Sequence, residues 1–144
     1  MVTAAALSLG EVTGSSGKDL LKAYALGIEI LTKIAANAPN VQDRGFHSTP
    51  VLGSIGAAIA CASLLRLNPD KIKAALGITA SARAAFIVSK APWSSHFTPP
   101  TPPRNGVEAA LLAEKGFTAD AAILEAPRGF CDTFFGPGTC DYER

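Results

Sequence analysis

The sequence predicts an all-α fold. Alanine-rich segments carry apolar residues at helical spacing, and no stretch shows the sustained alternation of apolar and polar residues typical of half-buried strands. Helix-start signals separate these segments: Ser16 stands three residues before Asp19, and Asn68-Pro69-Asp70 combines a cap, a proline and an acid. A length of 144 residues, 48% of them hydrophobic, is enough for one domain with a core and too short for two.

The first predicted helix begins after Ser16 and ends at Asn37-Ala38-Pro39, because proline cannot continue a helix. One face of this helix is apolar over its whole length. The residues on that face are Leu20, Tyr24, Ile28, Leu31 and Ala35. A second helix is predicted to follow Pro50 and to run to about Leu67.

Asn68-Pro69-Asp70 is predicted to open a third helix, since it places a capping side chain, a proline at the first helical position and an acid in the first turn. Its inward-facing residues are predicted to be Ile72, Ala75, Leu76 and Thr79. Two further helices are predicted over residues 105–115 and 118–125. Gly116 fits the left-handed stop between them, and Thr118 fits the next cap.

Two segments depart from the helical pattern. Residues 41–49 are predicted to form a loop between helices, where functional side chains commonly lie. Four of the ten prolines fall within residues 99–103, and each would cost a helix interior about 3 kcal/mol. We therefore expect that proline segment to be extended or irregular, and residues 91–103 as a whole to be exposed or poorly ordered.

Charge and cysteine content limit the classes of function. Thirteen Lys and Arg against twelve Asp and Glu leave a net charge of +1, which argues against nucleic-acid binding. Cys61, Cys131 and Cys140 form no CxxC pair and no zinc-site spacing, as expected for a reducing compartment. The N-terminus does not resemble a secretory signal, and the longest apolar run, residues 51–65, is shorter than a membrane span. We expect a soluble, cytoplasmic protein that binds no membrane.

Few residues are candidates for chemistry. His47 and His96 are the only histidines, and an imidazole can act as acid, base or anion partner near neutral pH. A loop histidine such as His47 is more often bonded to backbone carbonyls than functional. Arg44 and Arg104 have the planar donors that bind carboxylates, although a lone arginine is usually a solvated surface charge. Gly53-x-x-Gly56 indicates close helix packing, because it lacks the spacing and the preceding strand of a phosphate-binding loop.

Several sequence motifs together resemble those of the MmgE/PrpD family. They include Arg44-Gly45-Phe46-His47-Ser48-Thr49 before Gly53-Ser54-Ile55-Gly56, and Arg104-Asn105-Gly106-Val107-Glu108-Ala109-Ala110-Leu111-Leu112-Ala113 before Gly116-Phe117-Thr118. The motifs occur in the family's order and cover the chain from about Ala4 to Gly138.

The resemblance implies a lyase that acts on small polycarboxylates without a metal or organic cofactor. The family contains 2-methylcitrate dehydratase, cis-aconitate decarboxylase and related lyases or epimerases, and its members are typically homodimers. It also places the histidine of the GFHxT motif, His47, at the substrate pocket. Because family members are considerably longer, we expect residues 1–144 to be one partial helical domain, without an upstream active-site segment and the second, α+β domain.

One segment departs from the family pattern. Where the family carries a lysine and a histidine that meet the substrate, this chain has Ser95 and Thr98, and His96 is two places away from the family's histidine position. Two hydroxyls can bond a carboxylate but supply neither charge nor a proton near neutral pH. Codons for residues 91–103 read one base earlier can restore the family's lysine and histidine. A compensated frameshift therefore stands beside genuine replacement as an interpretation.

Two functions remain open at this point. The first is part of a polycarboxylate lyase that removes water or carbon dioxide next to a carboxylate, with His47 as the proton-moving or anion-binding group and Arg104 as a weaker candidate. Such a chain is expected to be inactive alone. The second is a non-catalytic helical scaffold or a decayed gene product.

Overall fold

The computed structural model describes residues 1–38, 40–82, 86–87 and 100–142. The helices of these residues are α1 (Val2–Thr13), α2 (Gly17–Ala36), α3 (Ser48–Leu64), α4 (Pro69–Ala80), α5 (Thr101–Glu114) and α6 (Phe130–Phe134). The predicted all-α class is confirmed, because the described residues contain no strand and one isolated bridge between Phe46 and Phe86.

Helix α3 forms the centre of the fold and packs against α1, α2, α4 and α5. Its sequence explains this position, since small and apolar residues cover all of its faces and most of the helix is buried. Gly56 faces Leu31 and Ala60 faces Gly27, so α2 and α3 run antiparallel. Helix α5 runs parallel to α3, because its Pro102 lies next to Gly53 and its Gly106 next to Ala57.

The apolar residues form two main clusters at opposite ends of α3. One joins α1, α2 and the later part of α3, with Leu9, Ala23 and Cys61 in its centre. The other surrounds the start of α3 and contains Ile55 together with Phe135 of the C-terminal segment. The second cluster carries the loop that contains His47.

Three predicted helix boundaries are confirmed with their caps. The Ser16 hydroxyl accepts from the Asp19 amide while the Asp19 carboxylate accepts from the Ser16 amide, so a full capping box starts α2. The Asn68 side chain accepts from the Lys71 amide at the start of α4. Gly116 adopts a left-handed φ of 93° just after α5.

Helix α1 has no counterpart among the predicted helices. No side chain caps its start at Met1, its first turn carries no acid and its last turn carries no base, so the usual terminal signals are missing. Alanine favours the helix, and Gly14 ends it in the left-handed conformation with φ 64°.

The predicted bounds of α3 were shifted. The helix begins at Ser48, so that Pro50 lies within its first turn, where a proline costs no intrahelical hydrogen bond. It ends at Leu64 instead of about Leu67, because Arg66 takes a left-handed φ of 52° and turns the chain toward α4.

The prediction that the proline segment is extended or irregular throughout was wrong at its C-terminal end. Thr101, Pro102 and Pro103 form the first turn of α5, where proline's fixed φ is already helical. Pro102 is fully buried against α3, which also contradicts the expected exposure at this position. Residues 91–99 lie outside the described part of the chain.

The predicted helix over residues 118–125 was also wrong, because turns occupy this segment. The Asp120 carboxylate accepts from the Ala122 amide at 2.9 Å, a local bond that competes with helix formation. The Phe130 amide then donates to the Ile123 carbonyl at 2.8 Å and folds the chain back into α6. Thr118 is therefore not a helix cap.

Candidate functional site

His47 lies immediately before α3, at the end of the predicted loop. Its backbone is extended, with φ −84° and ψ 111°, and its carbonyl accepts from the Val51 amide in the first turn of the helix. The imidazole is half-buried and does not cap the helix. The predicted position of His47, on the loop before the helix that carries Gly53 and Gly56, is confirmed.

Phe46 anchors the loop next to His47. Its ring meets the edge of Phe134 with ring centroids 4.8 Å apart and stacks on Phe86 at 6.3 Å. The Ile87 amide donates to the Gly45 carbonyl at 2.9 Å beside the Phe46–Phe86 bridge. Two distant parts of the sequence, residues 86–87 and α6, therefore hold the residue that precedes His47.

Arg44 contacts the backbone of α6. Its Nη2 and Nε atoms donate to the Thr133 carbonyl oxygen, at 2.9 and 3.3 Å, and so tie the loop to α6. The side-chain amide of Gln42 donates to the hydroxyl of Ser48, the residue after His47, at 3.1 Å. The loop is thus held by side-chain hydrogen bonds, and the Arg44 guanidinium is used for backbone contact.

The electrostatic setting of His47 favours a negatively charged ligand. The first turn of the 17-residue helix α3 carries no acidic residue, and the start of a helix has a partial positive charge. An imidazole at this position can donate a hydrogen bond to a carboxylate, or move a proton to or from a neighbouring carbon or oxygen.

Arg104 lies on a different surface. It forms an ion pair of 4.0 Å with Glu108 on α5, and both side chains are more than half exposed, so the pair contributes little to stability. Arg104 also lines a groove of about 470 Å³ between α1 and α5, together with Ala4 and Ser8. That lining does not include His47, and the described contacts do not bring the two residues together.

Ser95, Thr98 and His96 lie outside the described residues. Both described flanks of residues 88–99, however, reach the same end of α3. Phe86 and Ile87 contact the loop at Phe46 and Gly45, while Pro102 packs next to Gly53, which follows His47 by six residues or about 9 Å of helix.

Asn105 is a further site candidate and was not among the residues predicted from the sequence. Its side chain is 8% exposed, and its Nδ2 atom has no hydrogen-bond partner among the described residues. A buried unpaired amide costs about 1–3 kcal/mol, so it calls for a structural or functional reason. The sequence signal was present, because Asn105 belongs to the Arg104-Asn105-Gly106 motif.

The described residues contain no group of three or more His, Cys, Asp or Glu side chains able to hold a metal ion. Over the same ranges, no helix combines the length and apolarity that a membrane crossing requires.

Comparison with known proteins agrees with the helical architecture. Residues 1–143 match the MmgE/PrpD N-terminal domain. Human cis-aconitate decarboxylase is 31% identical over 132 residues, which cover 90% of this chain and 27% of the human protein. The cis-aconitate decarboxylase-like protein oryM of Aspergillus oryzae is 31% identical over 126 residues, or 85% of this chain and 26% of that protein. The chain thus spans about a quarter of the length of these relatives, and its match over residues 1–143 shows that it belongs to the MmgE/PrpD family.

Proposed function

We propose that this chain is the helical part of a lyase that acts on small polycarboxylates such as cis-aconitate or 2-methylcitrate. In this proposal residues 1–144 are one partial domain of a cytoplasmic, homodimeric enzyme that uses neither metal nor organic cofactor. The remaining domain supplies much of the pocket, and the chain alone is inactive. The family match over residues 1–143, with cis-aconitate decarboxylases among the relatives, is the observation that carries the proposal.

His47 is the proposed catalytic residue. It is half-buried at the start of α3, where the helix favours a carboxylate, and the contacts of Phe46 and Arg44 hold the loop on either side. Loss of water or carbon dioxide next to a carboxylate needs a held anion and a positioned proton donor or acceptor. A histidine in this setting meets either need.

Ser95 and Thr98 are the proposed substrate-binding residues, with Arg104 as a weaker third. Phe86 and Pro102, which lie on either side of residues 88–99, contact the loop of His47 and the first part of α3. Hydroxyl groups there would hydrogen-bond a carboxylate without neutralising it. Arg104 would contribute only if its exposed ion pair with Glu108 opened.

The replacement of the family's lysine and histidine favours a second candidate function, a non-catalytic scaffold or a decayed gene product. The codons of residues 91–103 distinguish a reading-frame change from true replacement. If the codons read one base earlier yield a lysine and a histidine three places apart, the segment carries a compensated frameshift. If they do not, Ser95 and Thr98 are genuine replacements.

Histidine-selective NMR tests the proposed site, because the chain has only two imidazoles. Titration of the untagged chain with cis-aconitate is expected to shift the His47 signals with an affinity of roughly millimolar. Acetate at equal ionic strength is the control ligand. His47→Gln should abolish the shift, whereas His96→Gln should leave it unchanged.

A shift that acetate reproduces, or one confined to His96, would contradict the role of His47 and favour the scaffold. An activity assay on cis-aconitate and 2-methylcitrate checks the remaining part of the proposal. We expect turnover far below about 1 per second from the chain alone, because residues that act as a unit lose most of their effect when separated. Faster turnover would show that the chain is sufficient.

A further inference from the structure

Two of the three cysteines lie side by side at the C-terminal end of the described chain. Cys131 belongs to α6, Cys140 follows nine residues later, and both side chains pack in the apolar cluster that contains Phe135. Both line one cavity of about 190 Å³ that opens between α2 and the C-terminal segment. Cys61, in contrast, is completely buried in the cluster of α1, α2 and α3.

The chain between the two cysteines is shaped to bring them together. Gly136 and Gly138 have positive φ values of 110° and 71°, so the segment reverses direction between α6 and Cys140. The Phe135 ring is 1% exposed and fixes the middle of the segment in the core. The fold of residues 131–140 therefore places both cysteines on the same cavity.

We propose that Cys131 and Cys140 are a reversible thiol–disulfide pair, oxidised by a small-molecule disulfide such as glutathione disulfide. The half-buried Cys140 is the entry point, because Cys131 is only 6% exposed. The Cys140 thiolate attacks glutathione disulfide, forms a mixed disulfide and releases one glutathione thiolate. Cys131 then loses its proton, attacks the Cys140 sulfur and releases the second glutathione. Two protein thiols and one glutathione disulfide thus become one protein disulfide and two glutathione thiols.

The second step is expected to be the slow one. Burial, followed by the neighbouring Cys140, raises the pKa of the Cys131 thiol to about 12. The titratable groups that line the same cavity are Glu125, Asp141 and Tyr142, together with the cation Lys33. Since only the thiolate is a nucleophile, conversion of the mixed disulfide should accelerate as pH rises.

Oxidation would act on the contacts that hold the candidate site. Thr133, which accepts from Arg44, and Phe134, which meets Phe46, both lie between the two cysteines. A disulfide would close residues 131–140 into a ring that carries both contacts. This consequence for His47 rests on the proposed function, whereas formation of the disulfide does not.

Mass spectrometry after equilibration in glutathione buffers tests the proposal. Trypsin cleaves after Arg128, so one peptide, residues 129–144, contains both cysteines. This peptide should become lighter by the mass of two hydrogens. The midpoint should lie at a ratio of glutathione disulfide to squared glutathione roughly tenfold lower than for the urea-unfolded chain, because the fold raises the effective thiol concentration.

Cys140→Ser should abolish the loss of mass, while Cys61→Ser, the matched control, should retain it. Equal midpoints for the native and unfolded chain would overturn the proposal. So would a glutathione adduct that stays on Cys140, or a disulfide that involves Cys61. Circular dichroism of Cys140→Ser checks that the variant remains helical. If the variant unfolds, the midpoint of the unsubstituted chain still tests the proposal.

Discussion

The helix crossing around Gly56 and the loop around His47 are held by different kinds of contact. At the crossing, backbones of α2 and α3 approach so closely that a Cβ atom on Gly56 would lie 2.9 Å from the Gly27 carbonyl oxygen. At the loop, ring contacts of Phe46 and the hydrogen bonds of Arg44 to Thr133 join residues far apart in sequence. The crossing requires residues without a Cβ atom. The loop requires long side chains that contact distant residues.

Because of this difference, we expect substitutions at the crossing to act on stability and substitutions in the loop to act on the candidate site. Small residues at a helix crossing leave no room for change, so substitutions there should cost stability first. The loop is built from half-exposed contacts that can be altered singly. Loop substitutions should therefore alter the surroundings of His47 while the helices remain formed.

Gly106→Ala should produce the largest loss, about 3 kcal/mol of unfolding free energy. A Cβ atom there would lie 2.6 Å from the backbone nitrogen of Ala58, so one helix would have to move. Urea unfolding followed by circular dichroism measures the loss. Gly17→Ala is the control, since that Cβ meets nothing within 4 Å. It should be neutral or stabilising by up to about 1 kcal/mol. Equal effects would mean that α3 and α5 are not in such close contact.

Phe46→Ala should cost about 2 kcal/mol, because a half-buried ring loses its contacts with Phe134 and Phe86. The His47 imidazole signals should shift in the same variant. Gly106→Ala should not shift them if the contact between α3 and α5 is independent of the loop. Phe117→Ala removes a ring that is 61% exposed and should change stability by less than about 0.5 kcal/mol. An unshifted His47 signal would show that the Phe46 contacts do not hold the loop.

The sequence was sufficient where local chemistry decides the structure. The capping box of Ser16 and Asp19 and the cap at Asn68 each satisfy backbone groups within four residues, so the starts of α2 and α4 were predictable. At residues 99–103 proline content alone did not predict the structure, because Pro102 occupies the first turn of α5, where proline is favoured. At residues 118–125 the alanine content indicates a helix. The hydrogen bond that the Asp120 carboxylate accepts from the Ala122 amide competes with that helix and favours turns.

The site was predictable only in part, because its contacts are not local. The loop position of His47 followed from the sequence, and its role came from the family resemblance. Arg44 bonds to Thr133, 89 residues away, and no pattern near Arg44 indicates that partner. The unpaired amide of Asn105 likewise becomes visible only once α5 is packed against α3.

Ser16→Ala tests the local kind of contact and should cost about 1 kcal/mol near neutral pH. The Ser16 hydroxyl, which donates to the Asp19 carboxylate, lowers the pKa of that carboxyl below its ordinary value of 3.8. A depressed carboxyl pKa stabilises the folded chain above the unfolded pKa and loses this effect as pH falls through the folded one. The cost of Ser16→Ala should therefore shrink as pH falls below the ordinary carboxyl pKa of 3.8. Ser8→Ala, on the exposed face of α1, should show no such pH dependence.

Thr79→Val should give the smallest effect and the opposite sign, a gain of about 0.5–1 kcal/mol. The Thr79 hydroxyl is buried in α4 and has no hydrogen-bond partner in the described part of the chain, and valine has a similar shape without the polar atom. Thr32→Val is the matched control in α2, where the hydroxyl is exposed and donates to the Ile28 and Glu29 carbonyls at 2.9 Å. That substitution should be neutral or slightly destabilising. Urea unfolding at one pH measures the free energy of unfolding of the unsubstituted chain, of each single variant and of the double variant. A destabilised Thr79→Val would show that its hydroxyl has a partner, and would place a polar contact inside the helix packing where small and apolar residues otherwise decide the fold.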